Sequence, residues 1–219
     1  MDTTLTFFSL LGLYFFWLGR EKENYLALVG ITTGLAFMIK GFASLQIPGI
    51  ISLFCLISKE WKRLFTRKFI LGFAIALFIV LPWHLYQYLM HKEAFINQFL
   101  LYHVIERIGT GLENYSTGLF YYFIILIHGN RPWGIVSLLS LLYFSFSFRL
   151  EKNLKKKTAW VFTLSSIGAI LGFFTFSQTR RFWYVIPAYP FLSIVTALIM
   201  EKIFLRFKLK LEFLKVGVF

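Results

Sequence analysis

Seven apolar runs recur along this chain, at about 3–18, 25–39, 42–57, 69–89, 119–148, 159–176 and 182–200. Most approach the roughly 20 residues that carry a helix across about 30 Å of hydrocarbon. A backbone in lipid must satisfy its own hydrogen bonds, so only helices and closed barrels span it. Barrel strands alternate apolar and polar residues over about ten positions, and no such alternation occurs here. The runs predict an all-α integral membrane protein of about seven transmembrane helices. Composition agrees: 58% hydrophobic and 21% aromatic residues in 219 exceed what a soluble domain carries.

The fifth run is too long for one straight span. His128-Gly129-Asn130-Arg131-Pro132-Trp133 interrupts it, and proline costs an interior helix a hydrogen bond. This predicts a surface helix at 119–128 and a span from about 133 to 148.

Net charge is +13, and its distribution excludes a nucleic-acid platform. The stretches 58–68, 149–157 and 201–215 hold five Lys or Arg each, and the loop 19–24 joins them by alternation. That set carries 17 of the 23 basic residues. Basic loops stay cytoplasmic, so the N-terminus is expected outside and the C-terminus inside a plasma (inner) membrane. Residues 1–200 form the transmembrane body, with an outer amphipathic helix at about 91–118, and 201–219 form a basic amphipathic cytoplasmic tail. Met1 to Leu18 lacks the basic start and cleavage site of a signal peptide. The single cysteine, Cys55, excludes a disulfide framework. No histidine pair has metal-ligand spacing, so no cofactor is required by the sequence. His84 reads as a packed side chain, and Arg131 as part of a helix break.

The outer loops are poor in charge but hold the candidate site residues. Lys40-Gly41 separates apolar runs of 15 and 16 residues, and 15 helical residues cover only about 22 Å. Lys40 is then expected below the outer surface. It either snorkels upward or faces an anionic headgroup or phosphate. In 91–116, His103, Glu106 and Arg107 share one helix side by their i, i+3, i+4 spacing. They form either a solvated face or a polar cluster in which Glu106 or His103 handles protons. Arg180 and Arg181 occupy a turn of about five residues, beside interfacial Trp183 and Tyr184. They either bind lipid phosphate non-specifically or form a fork for a lipid-linked phosphate, which guanidinium groups grip in pairs. Tyr184 stands within one turn to add a hydrogen bond.

Taken in order, "MDTTLTFF", "MIKGFASLQIPGI", "LPWHLYQYLMHKEAFINQFLLYHVIERI", "GLFYYFIILIHGNRPWGI" and "FTFSQTRRFWYVIPAYPFL" resemble the GT-C fold membrane glycosyltransferases. The branch is the dolichyl-phosphate-mannose protein mannosyltransferase superfamily, and within it the transferases that put aminoarabinose on lipid A. The resemblance implies an inverting transferase that takes a sugar from a polyprenyl-phosphate donor to a lipid, glycan or protein acceptor at the outer leaflet. It implies that Lys40 and Arg180, with Arg181 adjacent, face the carrier phosphate. Tyr184 matches the tyrosine of a Y-x-x-P motif. Glu106-Arg107 match the polar pair that ends the outer helix, and His103 stands where the aminoarabinose branch has glutamate. Asp2 matches an aspartate that opens a span. The family's catalytic Asp-Glu pair lies in a first outer loop ahead of the region matched here. The chain is accordingly expected to be a fragment, with its N-terminal part missing and inactive alone. A transporter or flippase, and a non-catalytic membrane scaffold, are the competing readings. Metal dependence is not fixed by the sequence.

Overall fold

The computed structural model describes residues 1–99, 101, 118, 120–129, 131–148, 151–176 and 180–206. Among them every regular element is helical. Helix α1 spans Asp2–Gly19, α2 Tyr25–Lys40 and α3 Gln46–Ile57, with a 3₁₀ turn Gly41–Leu45 between the last two. A second 3₁₀ turn, Trp61–Phe65, leads into α4, Arg67–Phe95. Then come α5, Tyr121–Gly129, α6, Trp133–Ser147, and α7, Leu154–Phe176. A third 3₁₀ stretch, Phe182–Ala188, precedes α8, Tyr189–Arg206.

A helix stands at each of the seven apolar runs. The fifth divides into α5 and α6 at Pro132, as the proline requires. Among the described residues, four stretches are long and apolar enough to cross a membrane: Tyr25–Ile57, Arg67–Phe99, Leu154–Phe176 and Phe182–Leu205. The first is not one straight rod. Gly41 takes φ +52°, a left-handed value open to glycine, and there α2 ends and α3 turns back.

Local chemistry sets the other boundaries. Thr66 caps α4 by accepting from the Phe69 amide at 3.4 Å. The Asn153 side chain accepts from the Lys156 amide at 3.2 Å, a position that favours asparagine. It starts α7 at Leu154, five residues before the apolar run. Part of the basic loop 149–157 is therefore helix. Helix α4 also outlasts its apolar run, and bends where Lys92 takes φ 43°.

Helices α1, α3, α7 and α8 enclose the core. Phe16, Phe54, Ile47, Ile50, Ile170 and Val195 are all buried there, with Phe162 edge-on to Phe54 at 5.3 Å. Helix α4 packs mainly on α2 and leaves most of its apolar side chains exposed, as suits a lipid-facing helix. The α2–α4 contact is close because both helices offer small residues. A Cβ on Gly30 would stand 1.7 Å from the Gly72 carbonyl oxygen, and one on Gly34 3.2 Å from the Ala76 Cα. Such spacing lets backbones meet without a hydrophobic driving force.

Side-chain contacts define two ends of the bundle. At one, Arg20 reaches Glu60, and the Lys202 ammonium lies 5.3 Å from the Trp160 ring centroid. At the other, Lys40 meets Asp2 and Tyr184. The described part of each basic stretch falls at the first end. Lys40, Arg180 and Arg181 fall at the second.

Candidate functional site

The second end is built by three segments. Helix α1 delivers Asp2 in its first turn, where the helix dipole favours a carboxylate. Helix α2 delivers Lys40 in its last turn, where the dipole favours a cation. The 3₁₀ stretch Phe182–Ala188 delivers Tyr184, and it packs on both α1 and α7.

Lys40 Nζ forms an ion pair with Asp2 Oδ1, and the two side chains are 19% and 27% exposed. The same ammonium stands 4.8 Å from the Tyr184 ring centroid, within cation–π range. Tyr184 lies against Phe174, with centroids 4.8 Å apart. Lys40 is thus half-buried and held from two sides rather than extended into solvent. Asp2 and Lys40 are 38 residues apart, and no sequence spacing joins them.

Arg180 is buried, at 6% exposure. Its Nε and Nη2 both donate to the Thr175 carbonyl, at 3.1 and 2.8 Å. This ties the arginine to the last turn of α7. The Arg181 guanidinium carbon lies 5.5 Å from the Trp183 ring centroid. The two arginines diverge in setting: one is fixed to backbone and the other covers an interfacial aromatic.

Tyr122 belongs to this end and was not singled out from the sequence. It is 1% exposed, and its hydroxyl lies among Arg180, Tyr184 and the Arg181 backbone. The adjacent pair Tyr121-Tyr122, two hydroxyls between Phe120 and Phe123 in an apolar stretch, was its only signal. Below Lys40, Gln46 donates from Nε2 to Ser9 Oγ at 3.1 Å, a second tie between α1 and the turn that carries the lysine. Among the described residues, the Ser44 hydroxyl and Gln46 Oε1 are buried without a hydrogen-bond partner.

His103, Glu106 and Arg107 lie outside the described residues. His84 packs among Phe37, Phe95 and Phe99, and its Nδ1 donates to the Val80 carbonyl at 2.8 Å. Arg131 pairs with the His128 side chain. Among the described residues no three His, Cys, Asp or Glu side chains converge. A cavity of about 500 Å³ opens between α5, α6 and α8, lined by Trp133, Gly134, Ser137 and Tyr189 among others.

Residues 1–86 match the family described as dolichyl-phosphate-mannose-protein mannosyltransferase. An uncharacterized protein of Aquifex aeolicus is 30% identical over 90% of this chain and 37% of its own length. The undecaprenyl phosphate-alpha-4-amino-4-deoxy-L-arabinose arabinosyl transferase of Edwardsiella ictaluri is 31% identical over 61% of the chain and 25% of its own length. The transferase of that name from Yersinia pestis is 27% identical over 81% of the chain and 31% of its own length. The crystal structure of ArnT from Cupriavidus metallidurans, bound to undecaprenyl phosphate, superposes with a TM-score of 0.72 at 22% identity. It covers 90% of this chain and 36% of that one. The chain thus spans about a third of the length of the relatives it matches. Its fold is that of the GT-C membrane glycosyltransferases, and the sequence likeness runs to the superfamily of protein mannosyltransferases and aminoarabinose transferases.

Proposed function

We propose that the end carrying Lys40, Arg180 and Arg181 binds the phosphate of a polyprenyl-phosphate-linked sugar, as part of an inverting glycosyltransferase. The observation that carries this reading is the half-buried Lys40 ammonium, held between Asp2 and the Tyr184 ring at the same end as both arginines. In the transfer, an acceptor oxygen attacks the anomeric carbon while the bond from that carbon to the phosphate oxygen breaks. The phosphodiester leaves as a monoester and gains negative charge. Fixed cations at that oxygen stabilise the charge as it develops. Lys40 supplies a point charge. Arg180 supplies a rigid donor edge already oriented by the Thr175 carbonyl.

Asp2 is committed to Lys40 and acts as a positioning residue. Glu106 or His103 is the candidate to take the acceptor proton, with Arg107 as a further phosphate contact. Tyr184 sets the depth of Lys40, and Arg181 covers the outer rim. Membrane lipid surrounds the site. The acceptor is a lipid, glycan or protein, and lipid A is the acceptor that the resemblance to the aminoarabinose transferases implies. The chain sits as a multi-pass protein in the inner membrane, with residue 1 outside and the tail 201–219 in the cytoplasm. Against a transporter, described Asp, Glu, Lys and Arg residues gather at the two ends of the bundle, whereas transport sites place them at the midplane.

The test is binding by the purified 219-residue protein in detergent, read by native mass spectrometry. Undecaprenyl phosphate should bind at least about tenfold more tightly than undecaprenol, since a charged hydrogen bond contributes about 1.5–3 kcal/mol. Lys40→Ala should remove most of that preference. Equal binding of the phosphate and the alcohol would refute the assignment.

A further inference from the structure

The opposite end of the bundle holds a feature that carrier-phosphate binding does not use. The stretch 58–68 contains five basic residues and a single acid, Glu60. That acid is fully engaged. Arg20 grips it with two hydrogen bonds, Nη2 to Oε1 at 2.8 Å and Nε to Oε2 at 3.2 Å, and Arg63 adds a third at 3.1 Å. Arg63 also donates to the Gly19 and Arg20 carbonyls at 3.4 Å. Glu60, Arg20 and Arg63 thus lock the turn before α4 onto the loop after α1. Arg20 is further pinned on Trp17, 4.6 Å from its ring centroid.

The lock decides what the turn presents. Trp61 is 50% exposed and Phe65 69% exposed, edge to face with centroids 6.2 Å apart. Lys59, Lys62 and Arg67 around them are exposed, and Lys68 is half-exposed. With Glu60 engaged by Arg20 and Arg63, the exposed charged side chains of 58–68 itself are all cationic, around an aromatic pair, while the loop it locks onto adds Glu21 and Glu23 beside Lys22. Lys59 adds an independent sign. It closes α3 with φ 59°, while the Glu60 amide reaches back to the Cys55 carbonyl at 2.8 Å. Helix ends of this kind take glycine, because a Cβ disfavours the left-handed backbone. A lysine here accepts that strain, and its side chain is exposed, two residues before Trp61.

We propose that the turn 58–68 is a headgroup site for an anionic phospholipid. Trp61 and Phe65 enter the membrane interface, where amphipathic and aromatic rings settle. Lys59, Lys62, Arg67 and Lys68 meet the lipid phosphate, as basic clusters flanking membrane helices do. The site lies at the far end of the bundle from Lys40 and is independent of the carrier-phosphate reading.

The experiment reads Trp61 directly. The full chain is placed in nanodiscs of phosphatidylcholine doped with brominated phosphatidylglycerol or brominated phosphatidylcholine. The Trp61 signal is taken as the difference between the parent and Trp61→Phe proteins. Quenching by brominated phosphatidylglycerol should exceed that by brominated phosphatidylcholine several-fold. The excess should fall at high salt and in Lys59→Gln/Lys62→Gln/Lys68→Gln protein, and persist in Lys40→Ala. Circular dichroism of the triple variant confirms that its helices remain. If that variant fails to fold, the salt series on the parent carries the same decision. Equal quenching by the two lipids, or an excess that high salt leaves intact, overturns the proposal.

Discussion

At the residue scale, the Lys40–Asp2 pair joins stability to binding, and the two separate by substitution. Lys40→Met leaves the Asp2 carboxylate half-buried without its cation. It should cost about 1–3 kcal/mol, the penalty for an unsatisfied buried polar group, read as a lowered melting midpoint in detergent. Adding Asp2→Asn should recover most of that loss, because the stranded charge disappears with its partner. Affinity for undecaprenyl phosphate should stay low in the double variant. Recovery of affinity along with stability would show that Lys40 has no direct part in phosphate binding. Glu60 makes a pH prediction at the other end. Burial raises its carboxyl pKa, but the Arg20 hydrogen bonds and charge, with those of Arg63, outweigh burial and hold it below its ordinary 4.5. A depressed carboxyl favours the folded state above its unfolded value, and that contribution disappears as pH falls through the folded value. The parent should therefore lose more melting temperature than Glu60→Gln between pH 6 and pH 3. Parallel pH profiles for the two proteins would contradict this coupling.

At the scale of elements, the α2–α4 contact rests on the absence of side chains. Gly30 and Gly72 meet backbone to backbone, so Gly30→Ala forces the helices apart and should destabilise by about 1–3 kcal/mol, the usual cost of overpacking. Gly49 in α3 is the control. Nothing lies within 4 Å of a Cβ there, and Gly49→Ala should be stabilising by up to about 1 kcal/mol through helix propensity. Thermal unfolding of both variants in one detergent decides between them. The small residues of α2 and α4 are visible in the sequence as Gly30-x-x-x-Gly34 and Gly72-x-x-x-Ala76. Their pairing with one another is not, because each motif would fit any close partner. The helix ends divide in the same way. Pro132 and Thr66 announce theirs through local sterics and capping. The bend at Lys92 and the reversal at Gly41 carry weaker signals, since neither lysine nor an isolated glycine dictates a backbone angle.

At the scale of the whole molecule, the two ends make a topological prediction. With a membrane-impermeant maleimide, Glu93→Cys should label from outside intact cells and Asn153→Cys only after permeabilisation. Cys55 is buried and should stay silent in both. The reverse pattern would invert the orientation argued from the basic loops. The helical class and the division of the fifth run follow from the sequence itself, and the proposed orientation is argued from the same basic loops. Hydropathy, proline sterics and loop charge are properties of contiguous residues, and they act whatever the chain packs against. The candidate site was half legible. Lys40, Arg180, Arg181 and Tyr184 stand out as polar groups at the ends of apolar runs. The ion pair of Lys40 with Asp2, the anchoring of Arg180 on Thr175 and the presence of Tyr122 beside the arginines were not legible. Each joins groups through space, by contacts that side-chain type alone leaves open. The sequence marked which residues gather at the ends of the apolar helices, because transfer from water to hydrocarbon is read residue by residue. Only the tertiary structure decided which of them touch, because a half-buried charge takes its partner from whichever helix packing brings alongside.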